Sequence, residues 1–78
     1  MNMEMNEFIE KFTAKFDDTD TSELKKETVF KELEEWSSLL AISIVGMVDE
    51  EYGVRLNGSD ISSCQTIEDL YNNVRAKM

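Results

Sequence analysis

The sequence contains no histidine, no proline and only one cysteine in 78 residues. Without histidine the chain has no Ser-His or Cys-His nucleophile pair and lacks the commonest general base near neutral pH. The single cysteine, Cys64, forms no intrachain disulfide, and one cysteine without histidine makes no ordinary structural zinc site. These absences argue against an enzyme and indicate a reducing compartment.

Basic residues are also scarce. The chain has eight Lys and Arg and seventeen Asp and Glu, which gives a net charge of −9. Nucleic acid is therefore excluded as a partner, since binding its phosphates needs clustered Lys and Arg. Residues 32–54 contain six acids and no basic residue. A protein that binds this region is expected to present a basic patch.

Long hydrophobic runs are missing too. The longest, Leu39 to Val48, is half of the roughly 20 residues that a membrane span needs, and the first twelve residues lack the basic segment and apolar run of a secretory signal. We expect a cytoplasmic monomer with no membrane contact. The length of 78 residues predicts one domain over residues 1–78.

Hydrophobic spacing and end signals predict an all-α fold of three main helices, one short helix and a long first connection. The predicted helices cover Met3 to Phe16, Ser38 to Tyr52 with Gly53 as the terminating residue, a turn around Ser59 to Ser63, and a last helix that begins after a Thr66–Asp69 capping box. In the first connection, four apolar side chains are expected to pack into the core: Leu24, Val29, Phe30 and Leu33.

The polar start of this connection partly matches a calcium-binding loop. Asp18, Asp20 and Ser22 occupy the first, third and fifth places of that pattern. However, Glu23 and Val29 stand where it requires Gly and Glu. We therefore predict no metal site.

The helix Ser38 to Tyr52 is apolar on more than one side. On a helical wheel its core face is broad and includes Ala41 and Val45. The opposite face carries a second apolar stripe of Leu39, Ile42 and Gly46 beside Asp49 and Glu50. An aligned stripe bordered by acids indicates a contact site. The alternative is that single exposed apolar residues are normal on protein surfaces.

Two serines begin this helix. Ser37 is a natural N-cap, and Ser38 lies in the first turn and faces solvent. A helix N-terminus has unpaired N–H groups and the positive end of the helix dipole, so a phosphate attached there is well placed. The alternative is that both serines only cap the helix.

Ser37-Ser38-Leu39 resembles the Asp-Ser-Leu motif that opens the second helix of acyl carrier proteins. Three later segments match the pattern of this family in spacing: "VDEEYGVRL", "GSDISSC" and "QTIEDLYNNV". The resemblance implies a small four-helix bundle whose Ser38 carries 4′-phosphopantetheine, attached covalently from coenzyme A. It also implies a carrier without catalytic activity, which serves a phosphopantetheinyl transferase and acyl-processing enzymes of fatty-acid, lipid or polyketide-like biosynthesis.

The resemblance assigns two further sets of residues. Partner enzymes would contact Leu39, Ile42, Gly46, Asp49 and Glu50. The cleft that shelters an acyl chain would be lined by Val48, Leu56, Ile61, Cys64 and Ile67, which makes Cys64 a small buried hydrophobe.

The sequence departs from the family at the motif itself. Ser37 replaces the motif's Asp, and Leu40 and Ser43 replace acids in the first half of the helix, while Glu34 and Glu35 supply charge just before it. Two alternatives remain: an unmodified acidic helical adaptor, and a carrier of an aminoacyl or peptidyl group.

Overall fold

The computed structural model of the protein describes residues 4–17, 19, 22 and 24–78. Within these residues the chain forms four α-helices and no strand, which confirms the predicted all-α bundle of three main helices and one short one. A 3-10 turn at Phe30–Glu32 lies in the first connection, residues 14–37. The helices are α1 (Met5–Thr13), α2 (Ser38–Tyr52), α3 (Gly58–Ser63) and α4 (Ile67–Ala76).

Helix α1 ends earlier than its hydrophobic spacing predicts. The N–H groups of Lys15 and Phe16 bond to carbonyls only three residues back, at 3.2 and 3.0 Å, so the last turn tightens and the α-helix stops at Thr13. The predicted end at Phe16 was therefore wrong, and Met3 lies outside the described residues. The side chain of Phe16 is still buried, with its ring 5.4 Å from that of Phe12.

Helix α2 has the predicted bounds because both of its ends carry strong signals. The Ser37 hydroxyl accepts a hydrogen bond from the Leu40 N–H at 3.2 Å. At the other end Gly53 adopts φ 66°, a left-handed conformation that a side chain would strain, and its N–H bonds to the Asp49 carbonyl.

The two C-terminal helices begin with capping boxes. The predicted box of Thr66 and Asp69 is confirmed, and a second box, formed by Asn57 and Asp60, starts α3 at Gly58, one residue before the predicted turn. The first connection completes the cap of α4: the Thr28 and Lys26 carbonyls accept from the first two N–H groups of this helix, those of residues 67 and 68, at 3.1 and 2.9 Å.

The core is a single cluster in which aromatic rings link the helices to the first connection. The predicted packing of that connection is confirmed for Leu24 and Phe30, which are buried, while Val29 and Leu33 are half-buried. The ring of Phe30 packs edge-on against Phe12 at 5.5 Å and against Trp36 at 4.8 Å. The connection just before α2 is thus fixed to the core.

Two tests for other kinds of site are negative within the residues described. None of the helices there combines the length and the apolar character required to cross a bilayer. The same part of the chain contains no cluster of three or more His, Cys, Asp or Glu able to hold a metal. Three residues of the calcium-loop comparison, Asp18, Asp20 and Glu23, lie outside the described residues.

Candidate functional site

The start of α2 presents two exposed serines, and the first of them, Ser37, caps the helix. Ser37 accepts hydrogen bonds through both its side chain and its backbone: its hydroxyl oxygen accepts from the Leu40 N–H, and its carbonyl accepts from the Ala41 N–H at 2.9 Å. Ser38 is the first residue of the helix and its side chain is exposed. The two adjacent serines therefore have different roles, and the N–H groups of Ser38 and Leu39 remain at the open end of the helix.

An open groove of about 410 Å³ begins at Ser38 and lies between α2 and α3. On the α2 side it extends from Ser38 to Val45, roughly 10 Å at 1.5 Å per residue. Most of its surface is apolar. We call it the α2–α3 groove, and its lining consists of Ser38, Ala41, Ile42, Val45, Leu56, Asn57, Gly58, Ile61 and Ser62.

Only two of the five residues predicted to line an acyl cleft reach this groove. All five belong to the buried core cluster, but only Leu56 and Ile61 also line the groove, whereas Val48, Cys64 and Ile67 do not. Cys64 is 3% exposed, and burial raises the pKa of its thiol, so it is a neutral packed side chain. The structure thus supports the predicted role of Cys64 as a small hydrophobe.

Sequence reasoning missed part of the groove because Ala41 and Val45 fall on the core face of the helical wheel. Both are only partly buried. A signal was nevertheless available, since residues three, four and seven positions after Ser38 lie along the same side of the helix. A line drawn down the helix from Ser38 would have identified Ala41, Ile42 and Val45.

The apolar stripe of Leu39, Ile42 and Gly46 is exposed on the outer side of α2, and its role as a contact site stays a prediction. Leu39 and Ile42 are 75% and 67% exposed, and among the described residues they are the only large exposed hydrophobics besides Met78. Gly46 continues the stripe and is exposed, and a Cβ added to it would meet nothing within 4 Å. Within the described part of the chain, packing therefore does not require glycine at position 46, and most of the Leu39 and Ile42 side chains lies in solvent.

Acids lie at both ends of the stripe. Asp49 and Glu50 are exposed at its C-terminal end, and no ion pair within the described residues involves them. Glu51 differs, because Lys11 on α1 binds it at 3.0 Å while also binding Glu7. The hydrogen bonds that the Lys11 ammonium group donates to Glu7 and then to Glu51 raise its pKa. Asp49 and Glu50 are thus available to a basic partner.

At the N-terminal end of α2 one acid organises the chain. The Glu35 carboxylate accepts from the N–H groups of Asp17 and Thr19 at 2.6 and 2.9 Å, and from the Thr19 hydroxyl at 2.8 Å. Glu35 is half-buried and Glu34 is exposed. Sequence reasoning gave both acids the same role of supplying charge, but Glu35 also anchors the first connection, so Glu34 is the more accessible acid.

The model of the family described as the phosphopantetheine attachment site matches residues 7–74. This match covers most of the chain, so the protein belongs to that family. Its domains are non-catalytic carriers to which 4′-phosphopantetheine is covalently bound, and they interact with transferases and acyl-processing enzymes. The chain is therefore a phosphopantetheine-carrying protein of the acyl carrier type, which confirms the resemblance found in the sequence.

Comparisons with curated proteins and with solved structures gave no match. The residues at the start of α2 fit the cofactor. An exposed serine hydroxyl lies beside open N–H groups at a helix N-terminus, which suits a phosphodiester, and an apolar groove begins at the same residue.

Proposed function

We propose that the protein carries acyl groups as thioesters on a 4′-phosphopantetheine arm attached to Ser38. It would deliver them to enzymes of fatty-acid, lipid or polyketide-like biosynthesis. The observation that carries this proposal is the position of Ser38: the Ser37 hydroxyl caps the helix, whereas Ser38 is exposed and lines the start of the α2–α3 groove. The family match supplies the chemistry.

Attachment would proceed at the hydroxyl oxygen of Ser38. This oxygen attacks the phosphorus that bears the pantetheine arm in the pyrophosphate of coenzyme A. An oxygen–phosphorus bond forms, the bond to the adenosine bisphosphate half breaks, and the serine proton passes to a base of the transferase. The positive end of the α2 dipole and its open N–H groups stabilise the new phosphodiester. When bound, the arm supplies a thiol that forms thioesters.

The lining of the groove supports an acyl group as the cargo. Its apolar side chains, Ala41, Ile42, Val45, Leu56 and Ile61, remove hydrocarbon from water but offer no charged partner for an amino group. This favours the acyl carrier over a carrier of aminoacyl or peptidyl groups. The unmodified adaptor would need the contact stripe but has no use for an apolar groove at a solvent-facing serine.

Partner enzymes would dock on the stripe of Leu39, Ile42 and Gly46. We expect them to offer an apolar pocket for the two exposed side chains and basic residues for Asp49 and Glu50. The net negative charge makes copies of the chain repel one another, which supports a monomer. We also propose a cytoplasmic location.

The decisive test is modification of the apo protein by a broad-specificity phosphopantetheinyl transferase with coenzyme A. Intact mass should rise by one arm in the wild type and stay unchanged in Ser38→Ala. Ser37→Ala is the matched control, since it loses the cap, at about 1 kcal/mol of stability, but keeps the attacking hydroxyl. Circular dichroism should first show that both variants are folded.

Normal modification of Ser38→Ala would refute the assignment of the site. A folded wild-type protein that accepts no arm from any transferase would instead support the adaptor. The intact mass of the protein purified from its native host identifies the group that the arm carries, and thereby separates acyl from aminoacyl cargo.

A further inference from the structure

Helix α3 forms one wall of the α2–α3 groove and has only six residues. Two lysines outside α3 hold it through its polar atoms. Lys31 Nζ donates to the Ser62 carbonyl at 2.7 Å, and Lys77 Nζ lies 3.4 Å from Asp60 Oδ2. Ser62 itself lines the groove, so the Lys31 contact acts directly on that wall.

Lys31 is attached to a rigid part of the protein. It belongs to the 3-10 turn Phe30–Glu32, and the adjacent Phe30 has no exposed surface and packs against Phe12 and Trp36. The same segment leads through Trp36 to the cap of α2. Lys31, which holds the groove wall, and Ser38, at the start of the groove, are therefore both connected to the same packed segment, residues 30–36.

We propose that Lys31 is a positioning residue that latches α3 in place, and that release of this hydrogen bond lets α3 move away from α2 and opens the groove. The consequence for cargo rests on the proposed function: with the latch closed, an acyl chain in the groove is sheltered from water, and with the latch open it is exposed. The movement of α3 itself does not depend on the arm.

Cys64 provides a direct measure of the latch. It is the residue after α3, it is buried, and its N–H bonds to the Ile61 carbonyl at 3.2 Å, so movement of α3 uncovers its thiol. In the apo form of this 78-residue chain it is the only thiol. Its thiolate attacks the sulfur–sulfur bond of an aromatic disulfide reagent, forms a mixed disulfide and releases an aromatic thiolate that is followed by absorbance.

Lys31→Met removes the donor but keeps an unbranched side chain, and should accelerate this reaction between about two-fold and ten-fold, the equilibrium effect of one hydrogen bond. Burial raises the pKa of the Cys64 thiol, and the positive charge of Lys31 opposes that rise. Loss of the charge alone would therefore slow the reaction, so acceleration reports opening.

Two variants serve as controls. Lys31→Arg keeps a charged donor and should restore the wild-type rate. Lys25→Met removes the same charge from an exposed residue of the first connection and should leave the rate unchanged. The rates are measured at several low urea concentrations, because local opening depends little on urea whereas global unfolding depends on it strongly. Equal rates for Lys31→Met and Lys25→Met, or acceleration with the urea dependence of global unfolding, would overturn the latch.

The link to cargo is tested on protein loaded directly with octanoyl-coenzyme A by the transferase. In mild alkali, hydroxide attacks the thioester carbonyl and breaks its carbon–sulfur bond, giving octanoate and the free thiol of the arm. Lys31→Met should hydrolyse two- to ten-fold faster than wild type, Lys31→Arg and Lys25→Met. Faster Cys64 reaction with unchanged hydrolysis would overturn the link to cargo. If Ser38 accepts no arm, the proposed function fails, while the Cys64 rates still decide on the latch.

Discussion

Replacement of Gly46 by alanine is expected to stabilise the protein and to weaken its recognition by partner enzymes. The residue lies in the middle of α2, is exposed, and does not have the positive φ that favours glycine at Gly53. A Cβ built on it meets nothing within 4 Å. The fold therefore does not require glycine at this position. Glycine destabilises a helix interior, because it loses more conformational freedom on folding than alanine does.

The size of the gain follows from the helical position alone. Glycine is about 0.8–1.0 kcal/mol less favourable than alanine in a helix interior. For a domain of this size, each 1 kcal/mol shifts the melting temperature by roughly 4–8 °C. We therefore expect Gly46→Ala to melt roughly 3–8 °C higher than wild type, as measured by circular dichroism in the helical band on the unmodified protein.

Recognition by partner enzymes should weaken in the same variant whose melting temperature rises. If an enzyme surface approaches the helix backbone at Gly46, each added carbon separates the two surfaces. The kcat/KM of the transferase should then fall for Gly46→Ala and fall further for Gly46→Leu, although leucine has nearly the helix propensity of alanine. Stability and recognition are thus separated within one pair of variants.

Two results would refute this reasoning. A lower melting temperature for Gly46→Ala would mean that the glycine is required by the fold. A higher melting temperature with unchanged kinetics for both variants, across the transferase and an acyl-processing enzyme, would mean that no partner approaches α2 at this position.

Two further predictions concern charge. Hydrogen bonds from the backbone N–H groups of Thr66 and Gln65 lower the pKa of Asp69, and the N–H of Asn57 lowers that of Asp60. A carboxyl group whose pKa is lowered in the folded state stabilises the protein above its unfolded pKa of about 3.9, and this stabilisation is lost as the pH falls through the folded pKa. The melting temperature of wild type should therefore fall more steeply below about pH 4 than that of Asp69→Asn. Parallel curves of melting temperature against pH would contradict this. Affinity for a cognate enzyme should fall between low salt and 0.15 M, where the screening length is about 8 Å, and a salt-independent affinity would show that Asp49 and its neighbours make no electrostatic contact.

Much of the fold could be predicted because local signals mark the ends of its helices. Ser37 and Gly53 fixed α2 to the residue, and Thr66 with Asp69 fixed the start of α4. The start of α3 was predicted one residue late, although Asn57 and Asp60 have the spacing of a capping box and would have marked it. The end of α1 could not be read this way, because Phe16 continues the helical spacing although the backbone has already tightened.

The exposure of Ser38 and of the apolar stripe was also predictable, since both follow from helical geometry on a single element. The roles of Glu35 and Lys31 were not. Each side chain binds backbone atoms distant in sequence, at Asp17 and Thr19 for Glu35 and at Ser62 for Lys31. Such contacts depend on how the connection packs against the helices, and no local pattern encodes them.

The cap that the first connection places on α4 has a consequence for the timing of modification during protein synthesis. The carbonyls of Lys26 and Thr28 bind N–H groups of α4, and the Phe30 N–H binds the Gln65 carbonyl at 3.2 Å. On the ribosome, this connection precedes α2 but lacks its hydrogen-bonding partners until residues 65–68 have emerged. A nascent chain that ends at α3 thus presents Ser38 on an entry to α2 that is held by the packing of Phe30 but lacks the hydrogen bonds to residues 65–68. A transferase that requires the folded start of α2 would act only after α4 has been made.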